Sequence, residues 1–101
     1  MKQFHTKVVG VTFENRQEYI KKMKIGEKIF LERDRNNAYD KNAIKVINDK
    51  GFQIGFISKD LAPKIAEKMD SGIRFRAAVS DITGNQDSGA LGVNIIIREM
   101  D

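Results

Sequence analysis

The stretch RDRNNAYDKNAIKV, residues 33–46, is the most informative part of this sequence. Its fourteen residues hold three asparagines, two aspartates and a tyrosine among four cations, and they end in an apolar run typical of a β-strand. A plain turn needs fewer hydrogen-bonding side chains. Because binding residues concentrate on loops held by a rigid scaffold, the stretch predicts a functional loop that leads into a strand.

The same residues also have a purely structural interpretation. Asparagine and aspartate close irregular turns by bonding to their own backbone, and the ring of a tyrosine suits the mouth of a barrel. Cations on a loop are compatible with a solvated face as well as with a binding patch. The turn-closing residues would be Asn36, Asn37, Asp40 and Asn42, and the ring at the barrel mouth would be that of Tyr39. The cations of the solvated face would be Arg33, Arg35, Lys41 and Lys45. The sequence of the loop alone leaves both interpretations open.

On either side of this loop, apolar patterning and turn residues predict eight secondary-structure elements. Strands are predicted at residues 4–13, 27–33, 43–47, 52–57, 73–82 and 91–99, and helices at residues 15–23 and 60–70. The order is β-α-β-β-β-α-β-β. Short strands joined by tight turns predict a mainly β protein, built as a small six-stranded barrel or curled sheet, rather than a parallel α/β sheet.

Local signals set the expected ends of three elements. Asn15 is the expected N-cap of the first helix, and Glu18 stands where a capping box places a glutamate. Asp60 is the expected N-cap of the second helix, with Pro63 in its first turn. Residues 48–51, Asn-Asp-Lys-Gly, are a hairpin turn whose glycine suits a positive φ.

Length and composition predict one domain over residues 1–101. The net charge of +4 permits an anionic partner without requiring one. The sequence has no cysteine, which excludes a disulfide framework and a thiolate metal site. No apolar run reaches the roughly 18 residues of a membrane span, and the N-terminus lacks the apolar region of a signal peptide. We therefore expect a cytoplasmic protein without a membrane segment.

Catalytic chemistry is not indicated. The single histidine, His5, lies near a terminus with no evident partner, and the sequence has no nucleophile or phosphate-loop motif. Asp34, Asp40, Asp49 and Asp60 lack a recognisable metal-ligand spacing, and each has an ordinary role in a turn or cap. No cofactor and no metal are expected, and a small metal-dependent nuclease is the third-ranked hypothesis.

The sequence resembles the HIRAN domain family in three segments. They are VVGVTFENRQ (8–17), LERDRNNAYDKNAIKV (31–46) and GFQIGFISKDLAPKIAEKMDSG (51–72), whereas residues 73–101 match only as strand, loop and strand. The resemblance implies a β-barrel related to OB-type and SH3-like barrels, with two helices. It also implies a role, because the eukaryotic relatives capture the 3′-hydroxyl end of single-stranded DNA at stalled forks, as a step in DNA repair.

The resemblance carries functional residues over unevenly. It implies that Tyr39 packs on the terminal nucleotide, that Asp40 accepts a hydrogen bond from the 3′-hydroxyl, and that Asn37 makes a neighbouring polar contact. Phe13 stands where the relatives have a second stacking tyrosine, and Lys59 matches a lysine that contacts phosphate.

Two positions depart from the pattern of the DNA-binding relatives. Thr12 replaces an arginine and Phe56 replaces a histidine, and both changes remove expected phosphate contacts. Arg33, Arg35 and Lys41 remain as candidates for the salt-dependent phosphate interaction.

Two function classes follow from these observations. The first is a non-enzymatic module that binds nucleic acid, with ends of single-stranded DNA as the partner. The alternative is a regulatory adaptor that binds a protein partner and has kept the barrel but lost DNA binding. The sequence does not indicate the oligomeric state or a choice between DNA and RNA.

Overall fold

The computed structural model describes residues 3–84 and 89–100. Six strands and two helices follow the predicted order β-α-β-β-β-α-β-β. They are β1 (Gln3–Lys7), α1 (Arg16–Ile20), β2 (Lys28–Arg33), β3 (Ile44–Ile47), β4 (Gln53–Phe56), α2 (Ala62–Asp70), β5 (Phe75–Thr83) and β6 (Gly92–Glu99). The prediction of a mainly β protein with two helices is confirmed.

All the strands belong to one antiparallel sheet, in which the spatial order is β1-β6-β5-β2-β3-β4. The two outer strands meet where Val9 pairs with Phe56. In this bridge Val9 N donates to Phe56 O, and Phe56 N donates to Val9 O, both at 2.9 Å. The bridge curls the sheet into a partly open barrel.

The core lies inside the curled sheet. Alternate residues of each strand point inward, as in β6, where Val93, Ile95 and Ile97 are fully buried. Helix α2 adds Ile65 to the same apolar cluster, and α1 adds Ile20. Burial of these aliphatic side chains is the main stabilising contribution to the fold.

The predicted first strand is too long, because the chain beyond Val9 has no neighbouring strand with which to pair. The strand ends at Lys7, and the chain turns at Gly10, where φ is 71°. Helix α1 is correspondingly short, from Arg16 to Ile20. Asn15 occupies its N-cap position, as predicted, but makes no side-chain cap hydrogen bond. The predicted capping box is therefore wrong.

The second helix begins later than predicted. Asp60 is not its N-cap, because the cap position is occupied by Leu61, whose amide donates to Ser58 Oγ at 3.3 Å. Pro63 lies in the first turn, as predicted. The predicted hairpin turn is also confirmed, since Gly51 has a φ of 89°. Neither helix in the described part of the chain is long and apolar enough to cross a membrane.

Candidate functional site

The loop between β2 and β3, residues 34–43, is held by its own side chains. Asn37 Oδ1 accepts hydrogen bonds from the amides of Tyr39 at 2.9 Å and Asp40 at 3.0 Å, and Asn37 Nδ2 donates to Asp34 Oδ2 at 3.1 Å. Asp40 Oδ1 accepts from the amide of Asn42 at 2.9 Å. The structural interpretation of the loop is therefore confirmed for Asn37 and for one oxygen of Asp40.

Two groups on this loop remain available to a ligand. The Tyr39 side chain is 94% exposed, so the interpretation in which its ring covers the barrel mouth is wrong. The second carboxylate oxygen of Asp40, Oδ2, has no hydrogen-bond partner among the described residues. An open aromatic face thus lies next in sequence to a half-exposed carboxylate, on a backbone that Asn37 fixes.

Arg33, which precedes the loop, bonds to the C-terminal end of the loop and to the last residue of α2. Its Nη1 donates to Ala43 O at 2.9 Å and its Nη2 to Lys41 O at 3.0 Å, while Nε donates to Asp70 Oδ1 at 3.1 Å. Arg35 Nη2 donates to the same Asp70 oxygen at 2.9 Å. The Arg33 side chain is almost completely buried, whereas Arg35 and Lys41 are exposed.

The hydrogen bond from Arg33 holds the pKa of Asp70 below its usual value, and the charges of Arg33 and Arg35 act in the same direction. An Asp with a lowered pKa stabilises the folded state fully above its usual pKa of about 3.9. That contribution is lost as the pH falls through the lowered pKa. The tether of the loop is therefore sensitive to acid.

We expect the loop to loosen when Asp70 is protonated. On titration from about pH 6 to about pH 2, spanning the usual pKa of aspartate, the NMR signal of Arg33 Hε should move and the amides of residues 34–43 should lose protection from hydrogen exchange. Asp70→Asn should show the same change already at neutral pH, and Asp49→Asn should not. A variant Asp70→Asn with a normal Arg33 Hε signal would contradict this.

A second loop, residues 10–14, presents Phe13. An ideal Cβ on Gly10 would lie 3.7 Å from Cδ2 of Phe56 and 3.9 Å from Cδ2 of Phe13, so both rings lie close to Gly10. The Phe13 side chain is 64% exposed. This loop therefore adds an open aromatic face beside the strand bridge, and Thr12 on the same loop is exposed as well.

Two residues that the sequence analysis did not assign hold this second loop. Arg16 is buried, its Nη1 donates to Gly10 O at 2.7 Å, and its guanidinium lies 5.3 Å from the centre of the Phe56 ring. Gln17 Nε2 donates to Val11 O at 2.9 Å, and Gln17 Oε1 accepts from Leu91 N at 2.7 Å. The available signal was the helical spacing of Arg16 and Ile20, which share the buried face of α1.

Strand pairing brings the segments that contain the predicted nucleic-acid-binding residues close to β3 and β4. Phe56 pairs with Val9 on one side and with Lys45 on the other. Ile57 N donates to Ile44 O at 3.0 Å, so the exposed Lys59 follows β4 close to where the loop 34–43 enters β3. Asn37, Tyr39 and Asp40 form one bonded unit, Phe13 lies beside Phe56 on a separate loop, and Lys59 lies on a third segment.

This arrangement offers groups that can bind a ligand. Exposed aromatic rings can stack on planar groups, a free carboxylate oxygen accepts a hydrogen bond, and exposed lysines attract anions. Within residues 3–84 and 89–100, no three histidine, aspartate or glutamate side chains gather closely enough to hold a metal ion.

Comparison with known proteins gives consistent matches. The HIRAN domain family matches residues 1–98. The crystal structure of the HIRAN domain of human HLTF is similar with a TM-score of 0.78 and 30% identity, over 97% of this chain and 74% of that chain. The NMR structure of the HLTF HIRAN domain in its DNA-bound conformation has a TM-score of 0.66 and 28% identity, over 98% and 75%. A structure from Lactobacillus plantarum, at 24% identity and a TM-score of 0.76 over 99% and 94%, shares the fold.

Curated relatives match over parts of their length. Human helicase-like transcription factor is 53% identical over 45 residues, which are 45% of this chain and 4% of that protein. A Fanconi-associated nuclease 1 homolog from Arabidopsis thaliana is 28% identical over 96 residues, which are 94% of this chain and 10% of that protein. The chain thus spans a small fraction of each of these larger proteins.

Proposed function

This chain belongs to the HIRAN domain family, and on that basis we propose that it is a non-enzymatic module that binds single-stranded DNA and captures its 3′-hydroxyl end. The observation that carries the proposal is the exposed ring of Tyr39 beside the free Oδ2 of Asp40, on a loop that Asn37 and Arg33 fix. The similarity to a HIRAN domain solved in its DNA-bound conformation supports it. A cytoplasmic location stays a prediction.

In this proposal Tyr39 and Phe13 provide faces on which bases stack. Both rings are largely exposed, and neither is used in the core. Stacking of a base on an aromatic side chain contributes roughly 1–3 kcal/mol and is tolerant of sequence, because every base has a π-face. Asn37 acts by fixing the backbone of Tyr39 and Asp40.

Cations around the two loops supply the attraction to phosphates. Lys59, Lys41 and Arg35 are exposed and serve as direct contacts. Arg33 contributes its charge at longer range, because its donors are held by Ala43, Lys41 and Asp70. With threonine at position 12 and phenylalanine at position 56, fewer phosphates are contacted, so we expect a modest affinity. It should still fall with salt, by a slope of about 0.7 for each phosphate contacted on a single strand.

We expect Tyr39→Ala to weaken binding of a single-stranded oligonucleotide about tenfold, which corresponds to the removal of one base–aromatic stack. The stability of the fold should not change, because the side chain is 94% exposed. Fluorescence anisotropy measures the affinity. Phe52→Ala is the matched control: Phe52 stacks on Tyr19, with 4.5 Å between ring centres, at the hairpin turn. Equal losses of affinity in the two variants would contradict the role of Tyr39.

The alternative function is an adaptor that binds a protein. The observation that favours it is the apolar surface formed by Val9 and Phe13, which are both exposed beside the strand bridge. A salt titration separates the two functions. The logarithm of the affinity for DNA falls linearly with the logarithm of the salt concentration, whereas the affinity of binding through apolar surface does not fall. An oligonucleotide affinity too weak to measure at low salt would leave the adaptor as the better account.

A further inference from the structure

The outer face of the sheet carries a groove, away from the loops described above, where β2 and β5 separate. The two strands pair only at Lys28 with Ala78 and at Ile29 with Ala77. Beyond these pairs they diverge and leave a shallow groove of about 420 Å³. Outward residues of β2, β5 and β6 line it, and they are Lys28, Phe30, Arg76, Ala78, Ile96 and Arg98.

The charged side chains that line this groove in the described part of the chain are all cations, namely Lys28, Arg76 and Arg98. Arg76 and Arg98 lie directly opposite each other on β5 and β6, an arrangement that destabilises a sheet when the two charges are alike. Arg98 donates to a neutral acceptor, Gln3 Oε1, at 2.8 Å and 3.1 Å. Arg76 has no hydrogen bond or ion pair within residues 3–84 and 89–100. A fold that keeps two opposed arginines gains from an anion that binds between them.

Among residues 3–84 and 89–100, no carboxylate lines the groove. The next outward residue of β2 after Phe30 is Glu32, and it lies opposite Lys45 of β3 in the strand register. The three cations of the groove therefore have no anion among its described lining residues. The exposed Lys28 pairs with Ala78, which is two residues from Arg76 on β5. Lys28 therefore extends the row of cations along the groove.

The groove also offers an aromatic face above an aliphatic floor. The Phe30 side chain is 54% exposed although it is large and apolar, and Ala78 and Ile96 form the floor. A row of cations that follows a backbone, beside an aromatic ring on which a base stacks, is the composition of surfaces that bind single-stranded nucleic acid without reading its sequence.

We propose that this groove is a second binding site, which holds the backbone of the same DNA strand upstream of the captured end. The inference rests on the proposed function for the loop, and it adds a path for the rest of the strand. Strand β2 connects the two sites. Phe30 lies in the groove, and the loop begins four residues later at Asp34, which is about 13 Å along an extended strand. A few nucleotides cover the distance from the groove to the start of the loop. We favour DNA over an acidic peptide because Phe30 gives one stacking face and no side chain in the groove selects a peptide sequence.

The test uses a circular single-stranded oligonucleotide, which has no end for the loop to capture. The unmodified protein should bind it through the groove. The double variant Arg76→Gln/Arg98→Gln should bind on the order of tenfold more weakly. For this variant, the slope of the logarithm of affinity against the logarithm of salt concentration should be shallower by about 1.4. Each phosphate that a cation neutralises on a single strand adds about 0.7 to that slope. Its Tm should not fall, because a repulsive pair is removed.

The matched control is Lys22→Gln/Lys50→Gln, which removes the same charge from exposed positions beside the hairpin turn. Its affinity for the circle should stay within about twofold of that of the unmodified protein. This change is much smaller than the loss expected when two cations that bind phosphates are removed. Equal reductions of affinity in the two double variants would overturn the groove site. The choice of DNA would be overturned if the unmodified protein did not bind the circle but bound a polyglutamate peptide in a way that depends on Arg76. A separate measurement tests end capture by the loop. If the protein bound linear strands with and without a 3′-phosphate equally well, end capture would fail and the groove site would not be affected.

Discussion

Gly55→Ala is expected to lower the free energy of unfolding by about 3 kcal/mol, at the upper end of the cost of overpacking a core. A Cβ at this position would overlap Val9 O and would lie 2.5 Å from Val8 Cγ1. Val8 is fully buried, and Val9 pairs with Phe56 in the bridge that curls the sheet. The backbone must move apart to accept the methyl group, which breaks the bridge.

Thermal unfolding followed by circular dichroism measures this effect. A loss of about 3 kcal/mol lowers the Tm by roughly 12 to 24 °C in a domain of this size. Gly51→Ala is the control, because nothing lies within 4 Å of a Cβ there and only the positive φ of 89° is unfavourable. That strain costs about 1–2 kcal/mol. A Tm for Gly55→Ala equal to that of the unmodified protein would show that the bridge does not determine the fold.

The order of the elements could be predicted from the sequence because it depends on local patterns. Alternation of apolar residues marks the strands, and Gly51 and Pro63 mark a turn and a first helical turn. The end of the first strand could not be predicted in this way. It is set by where Val9 finds a partner in Phe56, which lies 47 residues further along the chain (56 − 9).

The candidate site shows the same division. The loop 34–43 was recognisable because its asparagines and aspartates act on their near neighbours, as Asn37 does on Tyr39 and Asp40. The near-complete burial of Arg33 was not recognisable, because its partner Asp70 is 37 residues away. Gln17 was missed for the same reason, since it bonds to Leu91 across 74 residues. The opposition of Arg76 and Arg98 depends on strand register.

End selectivity is the central claim, and it depends on the charge of Asp40. A carboxylate oxygen accepts a hydrogen bond from a 3′-hydroxyl, and hydrogen bonds to charged groups contribute about 1.5–3 kcal/mol. A 3′-phosphate brings a negative charge against the same oxygen and is repelled, so specificity comes from repulsion as well as attraction. We expect a strand with a free 3′-hydroxyl to bind on the order of tenfold to a hundredfold better, which is that energy expressed as a ratio of affinities.

Asp40→Asn separates charge from structure. An asparagine at this position keeps the Oδ1 that accepts from the amide of Asn42 at 2.9 Å, so the loop is retained. It removes the negative charge, so the affinity for the phosphorylated strand should rise toward that for the hydroxyl strand. Asp49→Asn removes an exposed aspartate from the hairpin turn and should leave the preference unchanged.

The decisive measurement is a competition by fluorescence anisotropy between two oligonucleotides of the same sequence, one ending in a 3′-hydroxyl and the other in a 3′-phosphate. The unmodified protein should prefer the hydroxyl end by at least about tenfold, the lower limit set by the hydrogen bond to a charged acceptor. Asp40→Asn should reduce that preference to nearly equal binding. Equal affinity of the unmodified protein for both ends would contradict the account.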